Sequence, residues 1–536
     1  MKERMEPAGD AAVRRNNAEK SRRTGRLLAV FKAVVLLGLA GVTAYGMLNE
    51  GIYIEGLWTP VADGILALLL VTVLVRNYYA DVPQAAWIVV AFLAALVGVK
   101  GLSMAWTISQ TETLHEVLRS SMYLAVFVAA LAALTSGRQV GPLMDVAVLI
   151  VAAVAGYGLL QKINPVEYPI QSAAVDAVRV DSTIGYANTT AVVLGMGVAL
   201  ALARMSAMRN FLLRGLYAAT TLAFLVTLYL TFSRGGYGSL VVGLILLFVL
   251  TKRRLQTLAN LLLLAAPGAW LLWRIQSLEG FLRADVPEER SIVLGAAFRN
   301  DLIVALAAAF ILQAGFAFVA NRYELMPTGR RVLGALAVAA TVLAIGAGAF
   351  AVVNAYGGGG RAYETLVSNP NQTENASERL TSLSIGFRED YWRVGWGAWK
   401  ERPLTGTGAG TFKYTWLQNR TGPDRVEQVH NLYLEQGTET GVFAFLALLG
   451  FVAALLGYSV RAAWRARGER RLLLAGLVSA LVVYLVSSFL EWHWYIPGST
   501  LFFFFLAAIT VKFALREAWG APETPSSGEV PADERP

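Results

Sequence analysis

The sequence predicts an all-α polytopic integral membrane protein, with about 12–14 transmembrane helices and one large extracytoplasmic loop. Three observations carry that prediction. Hydrophobic residues make up 56% of the 536 residues and the mean hydropathy is +0.52, well above ordinary soluble usage. Apolar runs of about 15–22 residues recur from end to end, and a helix needs about 20 to cross a bilayer. Basic residues collect in alternate short connections between those runs.

The elements follow in order. Residues 1–26 form a basic polar tail. The apolar stretch behind it, about 22 residues, is too long for the core of a signal peptide and lacks a small-residue cleavage site. It reads as an uncleaved first span, Leu27–Leu48, with the tail in the cytoplasm. Further spans are predicted at Leu57–Val75, Ala85–Val99, Ser120–Leu134, Pro142–Leu160, Ala187–Ala203 and Gly215–Phe232. Gly236–Leu250, Leu255–Leu272, Leu302–Ala320 and Val332–Val353 complete the membrane helices of residues 27–353. Residues 354–430 form the large loop, and residues 431–515 hold three more spans, Gly441–Val460, Leu472–Leu490 and Thr500–Leu515. The Pro- and Glu-rich residues 516–536 read as a disordered cytoplasmic tail.

Loop charge tests this count. With the N-terminus inside, the inner connections include "TSGRQVG", "RMSAMRNFLLR", "TKRR", "NRYELMPTGRR" and "RAAWRARGERR", nearly all carrying Arg or Lys. The alternate connections, such as "NEGIYIEG" and "EWHWYIPG", are neutral or acidic. The net charge of +9 therefore reads as topology and not as a nucleic-acid surface. With no cysteine, disulfides and thiolate chemistry are excluded, and three histidines leave no basis for a His-rich metal cluster. No metal and no cofactor are expected.

Four outward-facing stretches hold most of the polar chemistry. "RVDSTIGYANTTAVVLG" brings Arg179 and a Gly-containing turn to Asn188, at a helix start where backbone N–H groups are free; ordinary capping explains Asn188 as well. "TLYLTFSRGGYGSL" places Arg234 in a short outer turn, against the positive-inside pattern, where it is either functional or snorkelling to the interface. "GFREDYWRVGWGAWKERPLTGTGAGTF" reads as an amphipathic helix above the membrane, carrying Arg388, Trp392, Arg393 and Trp396, followed by a Gly-rich break. Guanidinium groups grip phosphate in bidentate fashion, and glycines allow backbone to approach a ligand; a surface helix and turn is the plain alternative. "VHNLYLEQGTETGVFAF" offers His430, Asn431, Glu435 and Glu439 at helical spacing where a helix enters the bilayer. A histidine there can serve as a base or be purely structural, and the acids also suit a helix start.

Taken in order, "RVDSTIGYAN", "TFSRGGYG", "GFREDYW" with "PLTGTGAGTF", and "VHNLYLEQGTETG" around one long outer loop resemble the O-antigen ligase and polymerase family of bacterial membrane glycosyltransferases. The resemblance covers roughly Arg179 to Gly441. About fourteen spans exceed the twelve typical of the ligases, and Tyr186-Ala187-Asn188 stands where the family often has Asn-Pro-Asn.

The resemblance implies a multi-pass enzyme of the bacterial plasma membrane, acting at the extracytoplasmic face. It would move or polymerise a glycan from a polyprenyl-diphosphate carrier onto the hydroxyl of a glycan, lipid or protein acceptor, without metal or cofactor. Arg234 and Arg388 would then neutralise the diphosphate, and His430 would activate or orient the acceptor hydroxyl. Arg179, Asn188, Trp392, Arg393, Asn431 and Glu435 would contact substrate, with Glu435 holding either His430 or sugar hydroxyls. Two other classes fit a polytopic chain: a lipid-linked oligosaccharide flippase or other transporter, and a non-catalytic subunit that keeps the fold. The scarcity of charge inside the predicted spans, with charge gathered in outer loops, favours an enzyme.

Overall fold

Runs of Leu, Val, Ala and Phe longer than a bilayer is thick leave helix as the only way to satisfy every backbone group, and the structure follows that rule. The computed structural model describes residues 8–171, 178–283, 285–322, 388–420 and 425–517. Its helices are α1 (Ala8–Leu48), α2 (Glu55–Leu74), α3 (Ala86–Leu102), α4 (Gln110–Ala133), α5 (Val140–Ile163), α6 (Ala187–Ala207), α7 (Phe211–Leu230) and α8 (Arg234–Leu250). They continue with α9 (Arg254–Ser277), α10 (Glu288–Ala320), α11 (Arg388–Glu401), α12 (Phe412–Asn419), α13 (Leu432–Arg465), α14 (Gly468–Ser487) and α15 (Pro497–Leu515).

Twelve of the described helices are long and apolar enough to cross a membrane, and α8 is a shorter apolar helix of 17 residues. Thirteen of the fourteen predicted spans thus fall on helices; Val332–Val353 lies outside the described residues, as do residues 354–387 of the large loop. The chain is an all-α, multi-pass membrane protein. Local signals set several of the boundaries. Asn210 caps α7 by accepting from the N–H groups of Leu212 and Leu213, Ser233 caps α8 by accepting from Gly236, and Pro497 opens α15.

The core is built around α6, α14 and α15, which are buried along about nine-tenths of their apolar stretches. Helix α14 packs against α6 and α8, α15 against α4 and α1, and α10 against α7. Small residues permit the closest approaches. A side chain on Gly476 of α14 would fall 2.3 Å from the Cβ of Ala203 on α6. Helices α2, α3 and α9 lie at the rim, where Leu74 is 85% exposed, as suits a face turned to lipid.

Alternation of the spans brings the connections after α1, α3, α5, α7 and α14, together with α11, α12 and the start of α13, to one end of the bundle. Hydrogen bonds between these segments tie that end together: Asn188 and Arg388 both reach Glu491, and Arg179 reaches Thr231. The opposite end is basic. There Arg204 pairs with Asp145, and Lys32 and Lys512 pair with Asp81.

Candidate active site

Glu491, in the turn between α14 and α15, is the hub of the site end. It is buried, and its carboxylate accepts from the Tyr186 hydroxyl at 2.9 Å, from Asn188 Nδ2 at 2.8 Å and from the Arg388 guanidinium. Asn188 in turn accepts from Arg179 Nη2 at 2.5 Å, and Arg179 Nε donates to the Thr231 carbonyl at 2.8 Å, three residues before Arg234. Arg388, first residue of α11, also donates from Nε to the Leu490 carbonyl at 2.7 Å. Arg179, Asn188 and Arg388 are thereby joined into one chain of contacts through a residue that no motif had marked. The Glu491 carboxyl, despite burial that opposes ionisation, is held below its ordinary range by Arg388.

Arg234 opens α8 at the same end. A side chain on its neighbour Gly235 would lie 3.7 Å from Leu490, whose carbonyl holds Arg388. Non-glycine backbone in the left-handed region marks this end: Ser182 (φ 55), Phe232 (φ 49) and His430 (φ 59) each lie within or next to one of the motifs. Such strain of about 1–3 kcal/mol persists only where the surroundings over-determine it.

His430 immediately precedes α13. Its ring lies between those of Tyr391 (centroids 5.3 Å apart) and Trp492 (6.2 Å), and Trp492 also meets Tyr186 (4.9 Å) and Tyr53 (5.4 Å). Its Nδ1 is 3.0 Å from the Gln428 carbonyl. A carbonyl can only accept, so Nδ1 carries the proton and Nε2 of the neutral ring keeps its lone pair. Burial, and next the Arg388 charge, push the imidazole down to about 4, with Glu491 opposing. His430 is thus a neutral ring able to take a proton. His493 is engaged at both nitrogens, by Thr189 at 3.0 Å and Ser487 at 2.8 Å, and serves packing.

The remaining sequence candidates are placed differently. Asn431 caps α13, its Oδ1 accepting from Tyr433 and Leu434 N–H groups at 3.1 Å each. Glu435 does not hold His430; it is buried and accepts from the Tyr495 hydroxyl. Glu439 accepts from the N–H groups of Gly410 (2.8 Å) and Phe412 (3.0 Å), fastening the Gly-rich stretch. Arg393 is exposed and pairs with Asp390 on its own helix. Trp392 packs against the small cluster of Tyr391, Phe412, Trp416 and Val429, whereas Trp396 is 50% exposed.

The Gly-rich stretch packs against its own chain. Its glycines are packed closely against the protein itself, as the surface-turn alternative expects. Gly408 (φ 112) would place a Cβ 2.1 Å from Thr107 Oγ1, and Gly406 (φ 61) would place one 2.3 Å from the Glu439 backbone. Gly441 (φ 72), against the Leu404 carbonyl, breaks α13 into an entry segment and a span. One correction concerns charge within the spans. Lys100 and Glu116 form a buried pair at 3.1 Å, beside Arg119, near the site ends of α3 and α4. All three fall just outside the predicted spans Ala85–Val99 and Ser120–Leu134, and the longer helices α3 and α4 take them in. Among the described residues no group of three or more His, Asp or Glu could hold a metal ion.

Fold and site define a multi-pass helical membrane protein with an arginine–carboxylate–histidine centre at one end of its bundle. Residues 218–449, from within α7 to within α13, match the family model described as O-antigen ligase. Arg234, Arg388 and His430 lie inside the matched stretch; Arg179, Asn188 and Glu491 lie outside it. No curated protein matches the chain.

Proposed function

We propose that this protein is a glycosyltransferase of the bacterial plasma membrane, transferring glycan from a polyprenyl-diphosphate carrier to an acceptor hydroxyl at the extracytoplasmic face. The observation that carries the reading is the meeting of Arg388, Glu491, Asn188 and Arg179 beside a neutral His430 at the end of the bundle opposite the basic connections. The family match supports glycan transfer at a membrane.

In this reading the acceptor oxygen attacks the anomeric carbon as the bond from that carbon to the diphosphate oxygen breaks. The acceptor proton passes to His430 Nε2, and the electron pair leaves with the polyprenyl diphosphate. Arg388, with its orientation fixed by Glu491 and Leu490, meets the developing charge together with Arg234. Asn188 acts one step back by holding Glu491, and Arg179 one step further by holding Asn188. Trp392, Arg393 and Asn431 remain candidates for substrate contact around this centre, as does Glu435 from its buried place beside Tyr495.

The buried Lys100–Glu116 pair is the feature a transporter would share, since charge within spans often marks a translocation path. Both residues lie near the site end, however, which favours surface chemistry over passage. A test is to incubate purified protein in liposomes with a polyprenyl-diphosphate glycan and an acceptor. Formation of the glycosidic product supports the proposal; movement of the lipid-linked glycan across the bilayer without product would replace it with a flippase.

A further inference from the structure

The basic end of the bundle holds an open cavity of about 490 Å³ between α1 and the turn after α2, lined by Gly25, Leu28, Ala29, Lys32, Asn77 and Asp81, among others. One aspartate there meets three cations, two through its carboxylate and one through its backbone carbonyl. Asp81 binds Lys32 Nζ at 2.6 Å through one oxygen and Lys512 Nζ at 2.9 Å through the other, and Arg516 donates to its backbone carbonyl. Arg516 Nε is buried with no hydrogen-bond partner among the described residues. Net positive charge therefore remains around the cavity after Asp81 is satisfied.

The surroundings have the polarity profile of a phospholipid. Next to the cavity α1 turns apolar residues outward, with Leu27 64% and Val30 62% exposed. One turn toward the N-terminus Arg22, Arg23 and Arg26 are exposed. Arg22, Gly25, Ala29 and Lys32 recur at i, i+3, i+7 and i+10, so one face of α1 runs from an exposed cation, past the open cavity, to the Lys32–Asp81 pair.

We propose that this cavity is a binding site for the headgroup of an anionic phospholipid, its phosphate meeting Arg22 and the cationic rim while its acyl chains lie along the exposed apolar face of α1. Basic pockets between helices at a membrane's inner surface have the chemistry for this, and a basic residue near such a surface contributes roughly a fivefold gain in affinity. The site lies at the opposite end from the glycan chemistry and does not depend on it.

Gly25 provides a clean test, because a side chain added there meets nothing within 4 Å and would enter the cavity. Full-length protein, purified in mild detergent and stripped of lipid, is offered phosphatidylglycerol or phosphatidylcholine with the same acyl chains, and bound lipid is counted by native mass spectrometry. Wild type retains phosphatidylglycerol preferentially, Gly25→Leu loses the preference, and Arg22→Gln weakens it about fivefold. Equal retention of both lipids by wild type, or an undiminished preference in Gly25→Leu, overturns the proposal. Displacement of phosphatidylglycerol by millimolar inorganic phosphate would overturn the lipid assignment in favour of a free-anion site. If Gly25→Leu fails to fold, the exposed Arg22→Gln decides, and an unchanged preference there overturns the proposal.

Discussion

Arg388 and Glu491 are 103 residues apart in the chain, yet they form an ion pair in which the arginine also donates to the Leu490 carbonyl. Two acceptors in different directions fix the plane of the guanidinium. A lysine keeps the charge and cannot satisfy both. Arg388→Lys is therefore expected to lose transfer activity about as severely as Arg388→Ala, by about 10²–10³-fold. The check is the rate of product formation from a polyprenyl-diphosphate glycan. A lysine variant near the wild-type rate would mean that charge alone suffices.

Glu491 acts through Arg388, so their effects are coupled. Glu491→Ala is expected to lower the rate substantially, and the double variant with Arg388→Ala to be little worse than Arg388→Ala alone. Rates of the two single variants and the double variant measure this directly. Full additivity would show that Glu491 works elsewhere.

In the proposed mechanism His430 sets the pH response. Its ring is pushed down to about 4 by burial first and Arg388 second, so it is neutral at pH 7 and ready to accept a proton. Activity falls as the pH drops through about 4, where the ring becomes charged, and stays level between about 5.5 and 7.5. Stability has the same sign. His430 and His493 are both lowered to about 4, so between their ordinary value near 6.5 and that point the unfolded chain binds protons that the folded one does not. Thermal midpoints should therefore fall as the pH is lowered from 6.5 to 4. A kcat/KM profile with an acid limb near 6.5 would contradict the account.

The Gly-rich turn is a structural clasp, and its variants should behave so. Gly408→Ala meets both an unfavourable φ of 112 and Thr107 at 2.1 Å, and is expected to lower the thermal midpoint by several degrees. Gly397→Ala, inside α11 with open space around it, should be neutral or stabilising by about 0.5–1 kcal/mol. Thermal unfolding of the two variants distinguishes them. Equal effects would remove the packing argument.

The membrane helices were legible because hydropathy and loop charge act locally: each predicted span needed only its own apolar run and its flanking basic residues. Arg179, Asn188, Arg388 and His430 were legible as motif members, and the structure brings them to one end. Glu491 was not. It sits in "EWHWYIPG", a stretch that reads as an ordinary acidic outer turn, and its role exists only through partners from α6 and α11. The Gly-rich turn was left with two readings for a related reason. Glycine marks close approach, but sequence cannot say what approaches, and here it is Thr107 and the α13 backbone. Glu435 and Glu439 share a helical spacing yet serve different neighbours, Tyr495 and the Gly410–Phe412 backbone.

The central claim is that Arg388 and His430 are parts of one catalytic centre for glycan transfer. It is tested most directly by assaying purified Arg388→Ala and His430→Ala proteins, each with a thermal midpoint close to wild type, on a polyprenyl-diphosphate glycan and its acceptor. The account predicts that both retain the fold and lose product formation by at least about 10²-fold. Full activity in both folded variants would contradict it.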